Sequence, residues 1–165
     1  MKHAIPEVLR ERKRVLVVAV ESTAIVVVDQ LIKALVRQTL QPGAPVDVFH
    51  DVLSWNLTRN TGAAFGLFPT GGAFFVAVAV SVVIVILANH SRLGRARWPT
   101  RSAVALIAGG AMGNALDRIR LGYVTDFVDL HWWPVFNIAD SAIVLGLGLL
   151  LMQTVLSRSE SREHE

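Results

Sequence analysis

Four long apolar tracts constrain the fold of this chain more than any other feature of its sequence. A helix needs about 17–25 apolar residues to cross the hydrocarbon core of a bilayer. The tracts cover about 15–36, 71–88, 102–119 and 138–156. Of the 165 residues, 53% are hydrophobic and 18% are charged, so too little polar chain remains to cover four core helices in water. We therefore predict an all-α integral membrane protein, with residues 1–165 forming a single bundle of four transmembrane helices.

Basic residues predict how this bundle is oriented. Most of the 16 Lys and Arg residues lie in segments 2–14 and 92–101 and at positions 158 and 162. Four spans place these segments on one side of the membrane, and the positive-inside rule makes that side cytoplasmic. The basic charge therefore indicates topology and not a nucleic-acid partner. The first tract is longer than a secretory signal and no small-x-small cleavage site follows it, so we expect an uncleaved anchor.

This topology leaves two segments outside, at about 37–70 and 120–137. The second segment is rich in aromatic side chains, which suit the headgroup region of a bilayer. We expect it to form a loop or short helix between the third and fourth spans. Its aromatic residues are Tyr123, Phe127, Trp132, Trp133 and Phe136.

The first outer segment contains a pattern of strands. Leu53, Trp55 and Leu57 alternate with polar residues, as in a half-buried strand, and residues 46–48 alternate in the same way. A turn at His50-Asp51 would join the two strands. We expect a small antiparallel β-sheet platform resting on the outer surface of the bilayer.

The acidic residues point to one plane of the membrane. All seven Asp residues lie in the outer segments or in the outer halves of the tracts. At about 1.5 Å per helical residue, Asp29, Asp117 and Asp140 lie roughly 22–27 Å from the basic ends of their tracts, in a core about 30 Å thick. Asp126, in the connecting loop, can reach the same plane. Carboxylates are costly in a membrane, so such a group is a functional candidate.

Two of these carboxylates are suited to hydrolysis. Neighbouring carboxylates tend to hold one proton between them, and such a pair can take a proton from water while donating one to a carbonyl. We choose Asp126 and Asp140, because a loop and a helix start can open to admit a peptide. Asn137 is placed to cap the fourth helix, with Asp140 at its N3 position.

The other charged residues have structural interpretations. Asp117 and Arg118 are expected to form a structural ion pair. Asp29 and Lys33, four residues apart, are either a helix-surface pair or part of the site. Glu21, inside the first tract, has no partner visible in the sequence.

Small residues on the third tract predict close helix packing. Gly109 is expected to serve packing alone. Gly113, beside Asn114, is equally consistent with packing and with shaping the site.

The sequence offers no ligand set for a metal ion or cofactor. The chain contains no cysteine, which excludes disulfides and thiolate metal sites. His50, Asp51 and His131 match no zinc spacing, so we expect neither metal nor cofactor.

Other classes of membrane protein fit the pattern less well. An ion-coupled transporter would have polar residues through the full membrane depth and, often, inverted repeats. A structural assembly subunit would leave the outer acids dispensable. A presenilin-like protease would need a Gly-x-Gly-Asp element, which the chain lacks.

Five ordered blocks resemble the lipoprotein signal peptidase family, the type II prolipoprotein-processing enzymes of the bacterial inner membrane. Their order and spacing match the family over nearly the whole chain, although Glu21 departs from its pattern. The blocks are Asp29-Gln-Leu-Ile-Lys33, Asn60-Thr-Gly-Ala-Ala-Phe65, Gly109-Gly-Ala-Met-Gly-Asn-Ala-Leu-Asp-Arg118, Gly122-Tyr-Val-Thr-Asp-Phe-Val-Asp129 and Phe136-Asn-Ile-Ala-Asp-Ser141.

The resemblance implies an aspartic endopeptidase with Asp126 and Asp140 as its catalytic dyad. Its substrates would be prolipoproteins whose cysteine carries diacylglycerol, cleaved just before that cysteine at the periplasmic face. Membrane lipid and the cyclic peptide inhibitor globomycin would be its other partners, and we expect a monomer. The residues expected to shape the site or bind substrate are Asp29, Lys33, Asn60, Gly113, Asn114, Asp117, Arg118 and Asn137.

Overall fold

The computed structural model describes residues 6–50, 52–62 and 72–162, with the side chains of 158–162 left out of the description. The described part is mostly helical, with a small antiparallel sheet. In chain order its elements are α1 (Glu7–Thr39), β1 (Val46–Phe49), β2 (Leu53–Asn60), α2 (Gly72–Ala88), α3 (His90–Arg95), α4 (Trp98–Leu121), β3 (Val124–Asp129) and α5 (Ile138–Arg162).

Two of the helices are long and apolar enough to cross a membrane. They are α1 and the Ile138–Ser157 part of α5. The helix α2 is also apolar but has only 17 residues. The predicted count of four spans therefore stays a prediction. Glu21 lies on α1, where it is partly exposed.

Helix α4 is the centre of the bundle, packed against α1, α2 and α5. Small side chains on α4 allow these close approaches. A Cβ added at Gly109 would lie 2.8 Å from Ile25 Cβ of α1, and one added at Gly110 would clash with the carbonyl oxygen of Ala139 in α5. The packing role predicted for Gly109 is confirmed.

The sheet has three antiparallel strands in the order β1-β2-β3. The pairing of β1 with β2 confirms the sheet predicted in the first outer segment, while the turn predicted at His50-Asp51 includes a residue outside the described ones. The prediction of a loop or short helix in the second outer segment is wrong, because β3 forms there and pairs with β2 from Ser54↔Asp129 to Asn60↔Val124. Alternation in β3 is obscured because Val124–Phe127 are all buried.

An irregularity in the pairing of β2 with β3, between Trp55 and Thr58, changes which side chains point inward. Ser54 and Leu57 are buried, whereas Trp55 remains 37% exposed, so the simple alternation predicted for this strand is wrong. A bulge of this kind shifts the two-residue period of a strand. Leu57 and Phe127 pack with Val36, which seats the sheet on the end of α1.

The aromatic residues of the second outer segment divide into two groups. Trp132 and Trp133 are exposed, and their rings lie 5.9 Å apart, as expected for a surface that contacts headgroups. Phe127, which was assigned to the same belt, is instead buried beneath the sheet. That assignment is wrong because β3 turns this side chain towards α1.

The opposite end of the bundle is basic. The short helix α3 packs against the start of α1, where Arg14 donates a hydrogen bond to the carbonyl oxygen of Gly94 (3.2 Å). Arg95 and Glu11 form a 3.6 Å ion pair there, partly exposed and therefore weak. Two of the three basic segments thus lie at the end of α1 away from the sheet.

We predict that Gly110→Ala destabilises the protein by about 1–3 kcal/mol, because the added methyl group pushes α5 from α4. The measurement is thermal unfolding in detergent. Gly148→Ala is the matched control on α5, because a Cβ at Gly148 meets nothing within 4 Å. Its unfolding temperature should equal or exceed that of the wild type, since alanine favours helix. Equal unfolding temperatures for Gly110→Ala and the wild type would contradict the close packing of α4 and α5.

Candidate active site

Two aspartates from different elements line one cavity. Asp126 lies in β3 and is 2% exposed, and Asp140 lies in the first turn of α5. The cavity has a volume of about 710 Å³, and its wall also includes Asn60, Asn114 and Arg118. The structure therefore brings together the two carboxylates that the sequence assigned to one site.

Asn137 bonds to both carboxylates. Its Nδ2 donates to Asp126 Oδ1 (2.6 Å), and its backbone N donates to Asp140 Oδ2 (3.2 Å). Its Oδ1 accepts a hydrogen bond from the backbone N of Asp140 (3.0 Å). This reciprocal arrangement is a capping box at the start of α5, so the predicted helix cap is confirmed.

Two further asparagines complete the hydrogen bonds of the pair. Asn60, at the end of β2, donates from Nδ2 to Asp126 Oδ2 (2.8 Å) and accepts from the backbone N of Gly62 (3.0 Å). Asn114 of α4 donates from Nδ2 to Asp140 Oδ1 (2.7 Å). Each carboxylate oxygen thus accepts one hydrogen bond from nitrogen.

Behind the pair lies a charge cluster formed by Lys33 and its three acceptors. Lys33 Nζ lies 2.9 Å from Asp29 Oδ2, 3.3 Å from Asp117 Oδ2 and 2.9 Å from Asn114 Oδ1. The side chains of Lys33 and Asp29 have no exposed surface. Of the two interpretations of the Asp29–Lys33 pair, the helix-surface one is wrong, because both residues are buried between α1 and α4.

Asp117 is not paired with its sequence neighbour. It lies 4.0 Å from Arg37 as well as close to Lys33, and its Oδ2 accepts a hydrogen bond from the backbone N of Thr125 (2.9 Å). The predicted Asp117–Arg118 ion pair is wrong, because consecutive residues of a helix point in different directions.

Arg118 faces the cavity instead. Its guanidinium lies over the Phe75 ring, 4.7 Å from the centroid, and its Nη2 donates to the carbonyl oxygen of Gly62 (3.3 Å). Its Nε is buried and has no hydrogen-bond partner among the described residues. A cation in this position can take a further acceptor from within the cavity.

Gly113 and Asp29 fix the start of α5 together. Asp29 Oδ1 accepts a hydrogen bond from the backbone N of Ala139 (3.0 Å). A Cβ at Gly113 would lie 2.7 Å from Asp29 Oδ2, so glycine is needed for this carboxylate to fit. Of the two interpretations of Gly113, the structure supports both, since packing and site shape coincide at this residue.

The carboxyl group of Asp126 titrates abnormally. Burial raises its pKa to about 6, and the nearby charge of Asp140 adds to the rise. Hydrogen bonds from Asn60 and Asn137 and the charge of Lys33 act in the opposite direction. A group with this pKa can be protonated near neutral pH, which a proton donor requires.

Asp129 has hydrogen-bond partners different from those of Asp126 and Asp140. It accepts hydrogen bonds from Asn56 Nδ2 (2.8 Å) and the backbone N of His131 (2.8 Å), and the first of these lowers its pKa. His131 Nε2 lies 3.1 Å from Ser54 Oγ. Within the described part of the chain, no three acidic or histidine residues are grouped as metal ligands would be.

Comparison with known proteins identifies the family. The family described as Signal peptidase (SPase) II matches residues 22–156. The lipoprotein signal peptidase of Moorella thermoacetica is 43% identical over 136 residues, which cover 82% of this chain and 91% of the relative. That of Pseudomonas fluorescens is 40% identical and covers 83% and 86%. The chain belongs to the signal peptidase II family.

Solved structures agree with this family assignment. A bacterial membrane enzyme determined by the in meso method at 2.3 Å is 26% identical, with a TM-score of 0.79 and coverage of 87% of this chain and 90% of that one. A second such enzyme, at 1.9 Å, is 27% identical, with a TM-score of 0.73 and coverage of 84% and 92%. This signal peptidase is therefore a membrane protein and a protease.

Two residues of α1 that lie behind the site, outside the cavity wall, were missed in the sequence. Gln30 donates from Nε2 to Asp117 Oδ1 (3.0 Å) and to the carbonyl oxygen of Gly113 (3.2 Å). Arg37 donates to Thr125 Oγ1 (2.9 Å). The signal for both was helical spacing. Gln30 is three residues before Lys33, and Arg37 is four residues after it, so both lie on the face of α1 that carries Lys33.

We predict that Asn137→Ala lowers the thermal stability of the peptidase in detergent more than Asn137→Ser does. Serine keeps an oxygen that can cap α5, and loss of a cap costs about 1 kcal/mol. Neither replacement reaches Asp126, so the comparison isolates the cap. Equal unfolding temperatures for the two variants would mean that the cap contributes nothing to stability.

Proposed function

We propose that this signal peptidase removes the signal peptide from prolipoproteins, and that Asp126 and Asp140 are its catalytic pair. The observation that carries the proposal is that Asn137 holds both carboxylates. Its side chain is hydrogen-bonded to Asp126, and its backbone N is hydrogen-bonded to Asp140. Two carboxylates held by one residue at the wall of a cavity can activate a water molecule between them.

The reaction needs one proton shared by the pair. The ionised carboxylate takes a proton from water as the water oxygen bonds to the scissile carbonyl carbon, and the protonated carboxyl group donates its proton to the carbonyl oxygen. When the carbonyl re-forms, a hydroxyl group of the tetrahedral intermediate returns its proton to the carboxylate that had donated one. The C–N bond breaks, and the leaving nitrogen takes the proton that the other carboxylate had accepted from water, so the pair again holds one proton. The products are a signal peptide with a new carboxylate and a lipoprotein with a free amino group.

Asp140 is the residue that we assign as the base. Its position in the first turn of α5 favours the ionised form, because the helix N-terminus carries partial positive charge. Asp126 is the acid, since burial and the charge of Asp140 raise its pKa to about 6. Arg118 lines the cavity and, as a second cation beside the pair, would bind a substrate carbonyl.

The substrate is proposed to be a prolipoprotein whose cysteine already carries diacylglycerol, cleaved just before that cysteine. Apart from its polar end, the cavity is lined by apolar side chains, including Val78 and Ile143. A peptide tethered to the membrane on both sides of its scissile bond would present that bond at this depth. The three-stranded sheet above the site is suited to hold the extended peptide.

We propose four spans in the bacterial inner membrane, formed by α1, α2, α4 and α5, within one domain. The basic segments 2–14 and 92–101 and the C-terminus would be cytoplasmic, consistent with the contact between α3 and the start of α1. The sheet and the pair would then face the periplasm, with Trp132 and Trp133 at the headgroups. We also propose that the protein is monomeric and that globomycin occupies the cavity.

We predict that Asp126→Asn and Asp140→Asn each abolish cleavage of a diacylglyceryl-modified precursor, because neither an acid nor a base can be supplied by an amide. The measurement is conversion of the lipidated precursor by purified protein, with and without globomycin. Both variants should unfold at temperatures close to that of the wild type.

Asp47→Asn is the matched control for this experiment, since Asp47 is an exposed aspartate of the same sheet. It should cleave at the wild-type rate. Turnover at the wild-type rate by either variant of the pair would remove that residue from the catalytic role.

We predict that Asn60→Ala moves the alkaline limb of the pH–rate profile to higher pH, by about one unit or less. The hydrogen bond from Asn60 stabilises ionised Asp126 and so lowers its pKa. Without it that pKa rises, and the acid form needed for catalysis persists to higher pH.

Asn56→Ala is the control for the pH profile. Asn56 lies on the same strand and donates the same kind of hydrogen bond to an aspartate of β3, but its partner is Asp129. This variant should leave the alkaline limb in place. A profile of Asn60→Ala that coincides with that of Asn56→Ala would exclude Asp126 as the acid.

A further inference from the structure

Two donors, Lys33 Nζ and Asn137 Nδ2, set the direction of the Asn114 side-chain amide, and the charged one is Lys33. The Oδ1 of Asn114 lies 2.9 Å from Lys33 Nζ, and an ammonium group has only donors. Asn114 must therefore present its oxygen to Lys33. Its Nδ2 is then left to face Asp140 Oδ1, 2.7 Å away, where it can only donate.

The other two asparagines of the site take their direction from backbone groups. Asn137 Oδ1 accepts from the backbone N of Asp140, and Asn60 Oδ1 accepts from the backbone N of Gly62. Both amides therefore keep their orientation whatever the side-chain charges are. Of the three asparagines that contact the pair, Asn114 is the one oriented by a charged side chain.

Burial makes this orientation persistent. Lys33 has no exposed surface, and its three donors are matched by three acceptors, on Asp29, Asp117 and Asn114. Asn114 Oδ1 also accepts from Asn137 Nδ2 (3.1 Å). Reversing the amide would place two donors against each other at Lys33 and leave Asp140 facing an oxygen, and Lys33 has no exposed surface at which water could compensate.

We infer that Lys33 is a positioning residue for the reaction, and that it acts through Asn114 to keep Asp140 as the unprotonated member of the pair. The donor held against Asp140 Oδ1 favours a carboxylate there over a carboxyl group. Lys33 itself touches neither member of the pair and is not a catalytic residue. This inference rests on the proposed function of Asp126 and Asp140.

Charged groups surround Lys33 on every packed element. Asp29 is on its own helix, and Asp117 is on α4 with Arg37 beyond it. The pair itself lies on β3 and α5, and the charge of Lys33 acts on both of its members. Arg118 faces the pair as a second cation from α4. Removing Lys33 alone leaves Asp29 and Asp117 short of a cation, which is strongly destabilising in a buried site.

The test therefore uses two variants, Lys33→Met and the charge-balanced double variant Asp29→Asn/Lys33→Met. An asparagine side chain at position 29 retains an acceptor for the backbone N of Ala139, and Asp117 retains Arg37. The kinetic constants kcat and KM are measured against pH for cleavage of a lipidated precursor. In both variants we expect kcat to fall about tenfold, with KM changed by less than about twofold. The acid limb of the profile should move to higher pH by about one unit. Without a well-oriented donor on its oxygen, the carboxyl group of Asp140 ionises only at higher pH.

Arg37→Met is the matched control. It also removes a cation near Asp117. The side chain of Arg37, however, donates its hydrogen bond to Thr125 and not to Asn114. Its acid limb should coincide with that of the wild type. If Lys33→Met does not accumulate as folded protein, the double variant decides the outcome.

A role confined to stability would lower the unfolding temperature and the active fraction of the Lys33 variants without moving the profile. A folded Lys33 variant with an unmoved acid limb would overturn the inference.

A mutant cycle tests the route through Asn114. Asn114→Ser should move the acid limb in the same direction, and combining it with Lys33→Met should move the limb no further than either change alone. Additive shifts of the acid limb would contradict the inference that Lys33 acts through Asn114. Wild-type cleavage together with inactive Asp126→Asn and Asp140→Asn would leave the proposed function standing in either case.

Discussion

The structure depends on satisfying the charges of four buried or partly buried carboxylates with partners from the protein itself. Four aspartates come from three helices and one strand, and each is hydrogen-bonded or ion-paired to another side chain or to the backbone. They are Asp29, Asp117, Asp126 and Asp140. An uncompensated charge in such surroundings costs several kcal/mol. Separating the elements would leave these charges uncompensated, and the same contacts that stabilise the bundle also place Asp126 and Asp140. Small residues on α4, such as Gly113, follow from this requirement because only they let the carboxylates approach.

The sheet contributes to the site by its pairing more than by its surface. Antiparallel pairing of β2 with β3 sets Asn60 against Val124 and so places its amide next to Asp126. The irregularity between Trp55 and Thr58 keeps Leu57 inward, where it packs on Val36 of α1. A strand that would otherwise lie free on the bilayer is thus fixed to the first helix. Asp126 is held by this sheet and Asp140 by a helix, so the spacing of the two carboxylates depends on how the sheet packs against the bundle.

Part of this arrangement could be predicted from the sequence. Helix depth placed Asp29, Asp117 and Asp140 in one plane, because rise per residue is a fixed quantity. The cap formed by Asn137 was also predictable, since it is local. The partners of Asp117 were not, because its sequence neighbour suggested Arg118, whereas the actual cations come from α1, 80 or more residues away in the chain. The strand β3 was missed for a related reason. Its first four residues are all buried, so it lacks the alternation by which strands are recognised.

The assignment of acid and base follows from the difference between a strand and a helix terminus. Both carboxylates accept two hydrogen bonds from nitrogen, so the count of donors does not distinguish them. Asp140, however, has the N-terminal dipole of α5 behind it, and its donor Asn114 is hydrogen-bonded to a buried lysine. Asp126 has no helix dipole, and its pKa is raised by burial and further by the charge of its partner. In the mechanism that we propose, the proton shared between two such groups resides on the strand. The asymmetry that hydrolysis requires is therefore present before a substrate binds, as a consequence of which element carries each residue.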